Sequence, residues 1–238
     1  MDKKEKLKKI NSLLIKQFGI PKRAKRLPNP VDLLIATILS QNTNDQNSYK
    51  AFKNLKENCK DWEEVAKLPK NKLLKLIKVA GLGKQKSAAI KGFLNEQLSK
   101  RGKINLNYLK KMSNQEIIEE LTSFNGIGVK TSSCILLFSL DRNVCPVDTH
   151  VHRTLNRIGV VKTNSPDKTF LEIQDFVPEK VAHSLHTNLI RLGREICKSQ
   201  NPLCSICPLK KICNYPDKNL MPVANKNSAK DFMLLDSV

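Results

Sequence analysis

The sequence predicts an all-α protein. No stretch alternates apolar and polar residues for long enough to form a strand, apolar positions recur every three or four residues, and helix-start signals are frequent. From Met1 to Gly19, lysines are interleaved with Leu7, Ile10, Leu13, Leu14 and Phe18, the spacing of a surface helix with one buried face. The segment is lysine-rich and carries Asp2 and Glu5, so a mature cytosolic start is expected rather than an arginine-rich presequence. Asn29-Pro30 is a cap followed by a first-turn proline, and it opens the apolar run Val31 to Leu39, a central buried helix. That helix ends in the polar stretch Ser40 to Asp45. Asp61 caps a helix from Trp62 to Leu68, and Lys72 to Val79 is a further short amphipathic segment.

An internal repeat follows. Gly81-Leu82-Gly83, between the helical runs ending at Val79 and containing Ser87 to Ile90, recurs as Gly126-Ile127-Gly128 at a constant offset of 45 residues. Both read as helix, Gly-apolar-Gly turn, helix. Such a turn aims unpaired backbone N–H groups at a ligand with no Cβ in the way, which suits a phosphate. The apolar residue between the glycines can point inward and hold the turn. An ordinary tight turn between helices is the plainer reading. Leu140 to Asn143 and Pro146 then mark a boundary, and the polar, unpatterned stretch from Asp217 reads as a loose tail.

The balance of 42 Lys and Arg against 22 Asp and Glu, a net charge of +20, suits a polyanionic partner. No apolar run reaches the roughly 18 residues of a membrane span, so no membrane association is expected. Seven cysteines is an odd number, and four of them crowd between Cys197 and Cys213, which is not the pattern of a secreted disulfide framework. Those four run Cys197-X6-Cys204-X2-Cys207-X5-Cys213, with Pro202 and Pro208 restricting the loop, and they can converge on one metal centre. Spacing alone admits either an iron–sulfur cluster or zinc. Cys59, Cys134 and Cys145 are expected to be buried free thiols. The pairs His150 with His152 and His183 with His186 lack neighbouring carboxylates to complete a second metal site.

Lys130 lies two residues past Gly128, in the first turn of the second hairpin's outgoing helix. The positive end of the helix disfavours an ammonium there and favours the neutral, nucleophilic amine. The matched position in the first hairpin is Gln85, which cannot play that part. A solvated surface charge is the competing reading. Asp148 precedes the helical stretch from Thr149 to Gly159. Capping alone would explain it, but a carboxylate there can also stabilise a cation or move protons.

Taken together, Leu121 to Thr131, Val147-Asp148-Thr149-His150 and the cysteine spacing closely resemble the endonuclease III family of helix-hairpin-helix (HhH-GPD) DNA glycosylases, over roughly Val31 to Cys213. The resemblance implies two helical lobes with DNA in a cleft between them: a six-helix lobe, 29–142, and a [4Fe-4S] cluster lobe from 1–28 and 143–215, followed by the tail 216–238. It implies a base excision repair enzyme with AP lyase activity that removes oxidised pyrimidines. Lys130 would be the Schiff-base nucleophile, Asp148 the essential carboxylate, and Cys197, Cys204, Cys207 and Cys213 the cluster ligands. Leu82 would wedge against the opposite strand, His150 would lie near the lesion pocket, and Gly126 and Gly128 would meet the DNA backbone. Either Gln41 or Asn42 would fill the gap left by the flipped base. The expected partner is double-stranded DNA with damaged bases or abasic sites, met by a cytoplasmic, nucleoid-associated monomer. A mismatch-thymine or pyrimidine-dimer glycosylase of the same superfamily, and a non-catalytic iron–sulfur DNA-binding protein, are the alternatives.

Overall fold

The computed structural model describes residues 2–222. Those residues contain eleven α-helices and no strand: α1 (Lys3–Phe18), α2 (Pro30–Ser40), α3 (Asp45–Asn58), α4 (Trp62–Lys67), α5 (Lys70–Ile77), α6 (Gly83–Arg101), α7 (Asn114–Thr122), α8 (Val129–Cys134), α9 (Thr149–Ile158), α10 (Pro166–Ile173) and α11 (Ala182–Arg191). The all-α expectation holds. No described helix is long and apolar enough to cross a membrane. The described residues divide into two compact units, one formed by those up to Lys22 with Asn143 to Pro222, the other running from Arg23 to Arg142.

In the first unit, α1 begins where Asp2 accepts a hydrogen bond from the Glu5 N–H. Leu7, Ile10 and Leu14 are fully buried, and the helix packs on α11. At about 1.5–3 kcal/mol for each such side chain, burial of that stripe is what fixes the N-terminal helix to this unit. Lys6 adds a polar tie, donating to the carbonyls of Ile158 and Gly159 at 3.0 Å each. A cation at the C-terminal end of α9 is favourable because the last carbonyls there carry partial negative charge. Val151, Leu155 and Ile158 form the buried stripe of α9, which packs on α10 and α11. Residues 216–222 form no helix; the rest of the expected tail, 223–238, lies outside the described residues.

In the second unit α2 is the central element. Asn29 accepts from the Val31 and Asp32 N–H groups, Pro30 occupies the first turn, and Val31 together with every residue from Leu33 to Leu39 is buried. The helix packs on α3, α6 and α8, so an apolar sequence with hardly a charge meets an environment with no exposed face. Asp61 caps α4 through the Glu64 N–H, and Pro69 separates α4 from α5. A capping box at Ser113 and Glu116 starts α7. Residues ahead of α2 are drawn into this unit by Arg23, whose guanidinium donates to the Leu137 carbonyl at 3.3 Å and pairs with Asp141. A π-helical turn, Ile135–Ser139, continues α8 into the core, and Cys59 and Cys134 are buried here, outside any disulfide, as Cys145 is in the other unit.

Candidate active site

The two hairpins both form, yet they differ at the residue between the glycines. In the first, α5 runs through a 3-10 turn, Lys78–Ala80, to Gly81 at φ 69° and Leu82 at φ 48°, and α6 starts at Gly83. In the second, α7 leads to Gly126 at φ 84°, and α8 follows Gly128. Ile127 is 4% exposed and holds its turn inward, as expected. Leu82 does not: it is 46% exposed. A left-handed backbone at Leu82 turns its side chain outward, whereas at the second turn glycine alone takes the positive φ. The inward placement thus holds for the second hairpin and not for the first.

Gly126 has two reasons to be glycine. Its φ is positive, and a Cβ there would stand 2.7 Å from the Cβ of Ala89, so the second turn packs directly onto α6 of the first hairpin. Gly128 has neither reason. Its φ is −104° and an added Cβ would meet nothing within 4 Å. Open space in front of a glycine leaves the backbone approachable by a ligand. Seven of the eleven described helices begin under a side-chain cap, and α6 and α8 are among the four that begin without one. Their first-turn N–H groups thus stay available.

The end of α2 meets both hairpins. Gln41 donates to the Gly126 carbonyl at 3.2 Å, and the Leu39 carbonyl accepts from Lys86 at 2.8 Å. Asn42, next in the chain, is exposed and left-handed at φ 50°. Gln41, Asn42, Leu82, Gly126 and Gly128 thus share one unit with Lys130, which is half-buried in the first turn of α8. The ion pairs described in this unit, such as Lys56 with Asp32 and Arg101 with Glu120, do not involve Lys130.

In the other unit, Asp148 is half-buried and caps α9, one carboxylate oxygen accepting from the Val151 N–H at 2.8 Å. The segment leading to it is pinned from two sides. Gln174 both donates to and accepts from the backbone of Cys145, and the His186 ring bonds the Pro146 carbonyl at 2.9 Å. His150 lies two residues beyond Asp148, and Arg153 reaches its Nδ1 at 3.2 Å. Burial pushes the His150 pKa down, the Asp148 carboxylate and a backbone hydrogen bond with Gly193 opposing and Arg153 and Arg194 reinforcing. Gly193 lets α9 approach: a Cβ there would lie 2.7 Å from the His150 Cβ.

All four cysteines of the loop line one cavity, together with Arg157, Ile158, Leu192 and Tyr215. No group of three His, Cys, Asp or Glu among the described residues is disposed to hold a single metal ion. Burial, reinforced by the neighbouring thiols, pushes Cys207 up to about 11. The loop hangs from α9. Arg153 donates to the Cys197 carbonyl at 3.0 Å, and Arg157 donates to the Lys198 and Ser199 carbonyls and contacts the Cys197 sulfur at 3.6 Å. Tyr215 covers the Arg157 guanidinium at 4.5 Å. Sequence reasoning passed over both arginines, and over Lys86. The available signal for the first two was their i, i+4 spacing on the helix that begins at Asp148.

Known proteins identify the family. Residues 35–179 match the family described as HhH-GPD superfamily base excision DNA repair protein. Endonuclease III of Thermotoga maritima is 35% identical over 202 residues, 85% of this chain and 89% of that protein. A non-covalent endonuclease III–DNA complex has a TM-score of 0.75 at 25% identity, covering 90% of this chain and 96% of that one. A trapped endonuclease III–DNA covalent intermediate gives the same values. The chain belongs to the HhH-GPD superfamily of base excision DNA repair proteins, with its likeness to endonuclease III, and is a DNA glycosylase.

Proposed function

We propose that the protein excises oxidised pyrimidines from double-stranded DNA and then cuts the strand through a Schiff base on Lys130. The observation that carries this reading is Lys130 itself: a half-buried amine in the first turn of α8, directly after a turn whose Gly128 faces open space. Phosphates approach the uncapped starts of α6 and α8, drawn by a net charge of +20. With the damaged nucleotide flipped out, Leu82 fills the stack from the first hairpin, and its exposure at 46% supports that role. Asn42, exposed and left-handed where Gln41 is engaged with Gly126, is the better placed of the two to fill the vacated space. His150, its pKa lowered by burial, is the residue we place near the lesion pocket.

The Lys130 amine attacks C1′, and the C1′–N bond to the base breaks, the base leaving with that electron pair and taking up a proton. The C1′–O4′ bond then breaks, O4′ keeping the electron pair and taking up the proton that the amine loses, and the C1′–N bond to Lys130 becomes a protonated Schiff base; Asp148 is the carboxylate we assign to proton transfer in the reaction. Loss of a C2′ proton then expels the 3′-phosphate by β-elimination, and hydrolysis frees Lys130. Lys130 and Asp148 belong to different units, and each role rests on that residue's own surroundings.

We further assign a [4Fe-4S] cluster to Cys197, Cys204, Cys207 and Cys213. Four thiols line one cavity with no carboxylate or histidine among them, a donor set that suits an iron–sulfur cluster. Bound there, the cluster supplies a cross-link and a redox-capable centre, while base excision stays with Lys130 and Asp148. Arg153 and Arg157 hold the loop to α9.

Two measurements test these readings. On duplexes containing thymine glycol, uracil, a G:T mismatch or a pyrimidine dimer, we expect thymine glycol to be released fastest, with a nick on its 3′ side. Preference for the mismatch or the dimer would transfer the protein to that substrate class, and tight binding without cleavage of any duplex would make it a binding protein. Anaerobically purified protein should be brown with about four irons and four sulfides per chain. A colourless protein with stoichiometric zinc would overturn the cluster.

A further inference from the structure

Lys86 is among the largest fully buried side chains of the chain, 2% exposed, although it is a lysine. Its ammonium has no carboxylate beside it. Instead Nζ donates to the carbonyls of Leu39 and Ala80, at 2.8 Å each. Leu39 lies in the last turn of α2 and Ala80 ends the 3-10 turn, so the cation sits between the negative ends of two helical segments. Burial lowers its pKa to about 8, which leaves it mainly protonated at neutral pH. A buried ammonium is expensive, and an apolar residue of the same length would fill the space without that cost.

What the lysine holds is the strained part of the first hairpin. Leu82 is a non-glycine residue in the left-handed region with its side chain exposed, an arrangement that persists only where neighbours over-determine it. Lys86 grips both sides of that residue. Its backbone N–H donates to the Leu82 carbonyl at 3.0 Å, and its ammonium to Ala80 just before the turn. The third bond, to Leu39, fixes the turn to the end of α2, two and three residues from Gln41 and Asn42.

We propose that Lys86 is a positioning residue which locks Leu82 and the Gln41-Asn42 loop into one rigid probe, so that both enter the duplex together when a base is flipped. This rests on the reading of Leu82 and Asn42 given above. Lys86→Met removes the tie at nearly constant volume, and Lys86→Gln keeps an N–H donor without the charge. Each is assayed on the same lesion in two settings: fully paired, and opposite a gap where the stack is already open.

Misplacing the probe should lower single-turnover excision of the paired lesion by about 10²-fold for Lys86→Met, with partial recovery in Lys86→Gln, and the open substrate by less than about threefold. The paired-to-open ratio does not depend on the fraction of folded enzyme. Leu82→Ala should shift the ratio in the same direction, and combining it with Lys86→Met should add little. Equal losses on both substrates, or no loss on either, would overturn the proposal. If Lys86→Met yields no folded protein, the ratio for Lys86→Gln decides by the same criterion. Wild-type protein inactive on both substrates would instead refute the glycosylase specificity on which the proposal rests.

Discussion

Lys130→Gln should abolish the borohydride-trapped adduct with an abasic-site duplex and slow strand cleavage on the order of 10³-fold or more. Glutamine is the informative replacement because Gln85 stands at the matched position of the first hairpin, where a helix also starts after a glycine turn. The substitution is therefore compatible with the local backbone. Lys130 is half-buried and outside the ion pairs of its unit, so stability should change by no more than about 0.5 kcal/mol. Duplex binding should weaken less than about tenfold, since one cation is lost from a strongly basic surface. Denaturing gels of the trapped product, single-turnover cleavage and a thermal melt separate these effects. An adduct that survives in Lys130→Gln would place the nucleophile elsewhere, and a collapse of binding equal to the loss of cleavage would reduce Lys130 to a phosphate contact.

The parts of this molecule that were legible in its sequence are those decided by neighbours in the chain. Asn29-Pro30, Asp61 and Asp148 announce helix starts because a cap satisfies N–H groups two or three residues away, and all three cap in the structure. Leu7, Ile10 and Leu14 mark the buried stripe of α1 through helical period alone. The cysteine loop was readable for the same reason, since seventeen residues with two prolines leave the four sulfurs little choice but to face one cavity.

What escaped the sequence is decided across distance. Gly-Leu-Gly and Gly-Ile-Gly are the same pattern, yet Ile127 is buried and Leu82 exposed, because the sign of φ at the middle residue follows from how the turn is anchored. The anchor is Lys86, one basic residue among 42, and its partner Leu39 lies 47 residues away. Arg153 and Arg157 were hidden likewise, reaching carbonyls some forty residues further on. A lysine or arginine written in a sequence reads as surface charge until its acceptors are known.

Asp148→Asn should leave the fold intact and lower base excision by about 10²–10⁴-fold. The carboxylate has a structural task that is visible, accepting from the Val151 N–H at the start of α9, and asparagine performs that task as well as aspartate does. A melt within about 0.5 kcal/mol of wild type is therefore expected for the asparagine variant, whereas Asp148→Ala, which removes the cap, should cost about 1 kcal/mol in addition. The comparison divides the two roles of one side chain. If the carboxylate only caps, Asn restores full activity and Ala loses it in proportion to its stability. If it also takes up a proton during the reaction, both variants fall together in excision while only one falls in stability, because an amide oxygen can cap a helix but cannot take up a proton at neutral pH. The second outcome is the one expected, since capping leaves Asp148 half-exposed with one oxygen engaged, and the Cys145-Pro146 segment before it is clamped by Gln174 and His186 more firmly than a helix start requires.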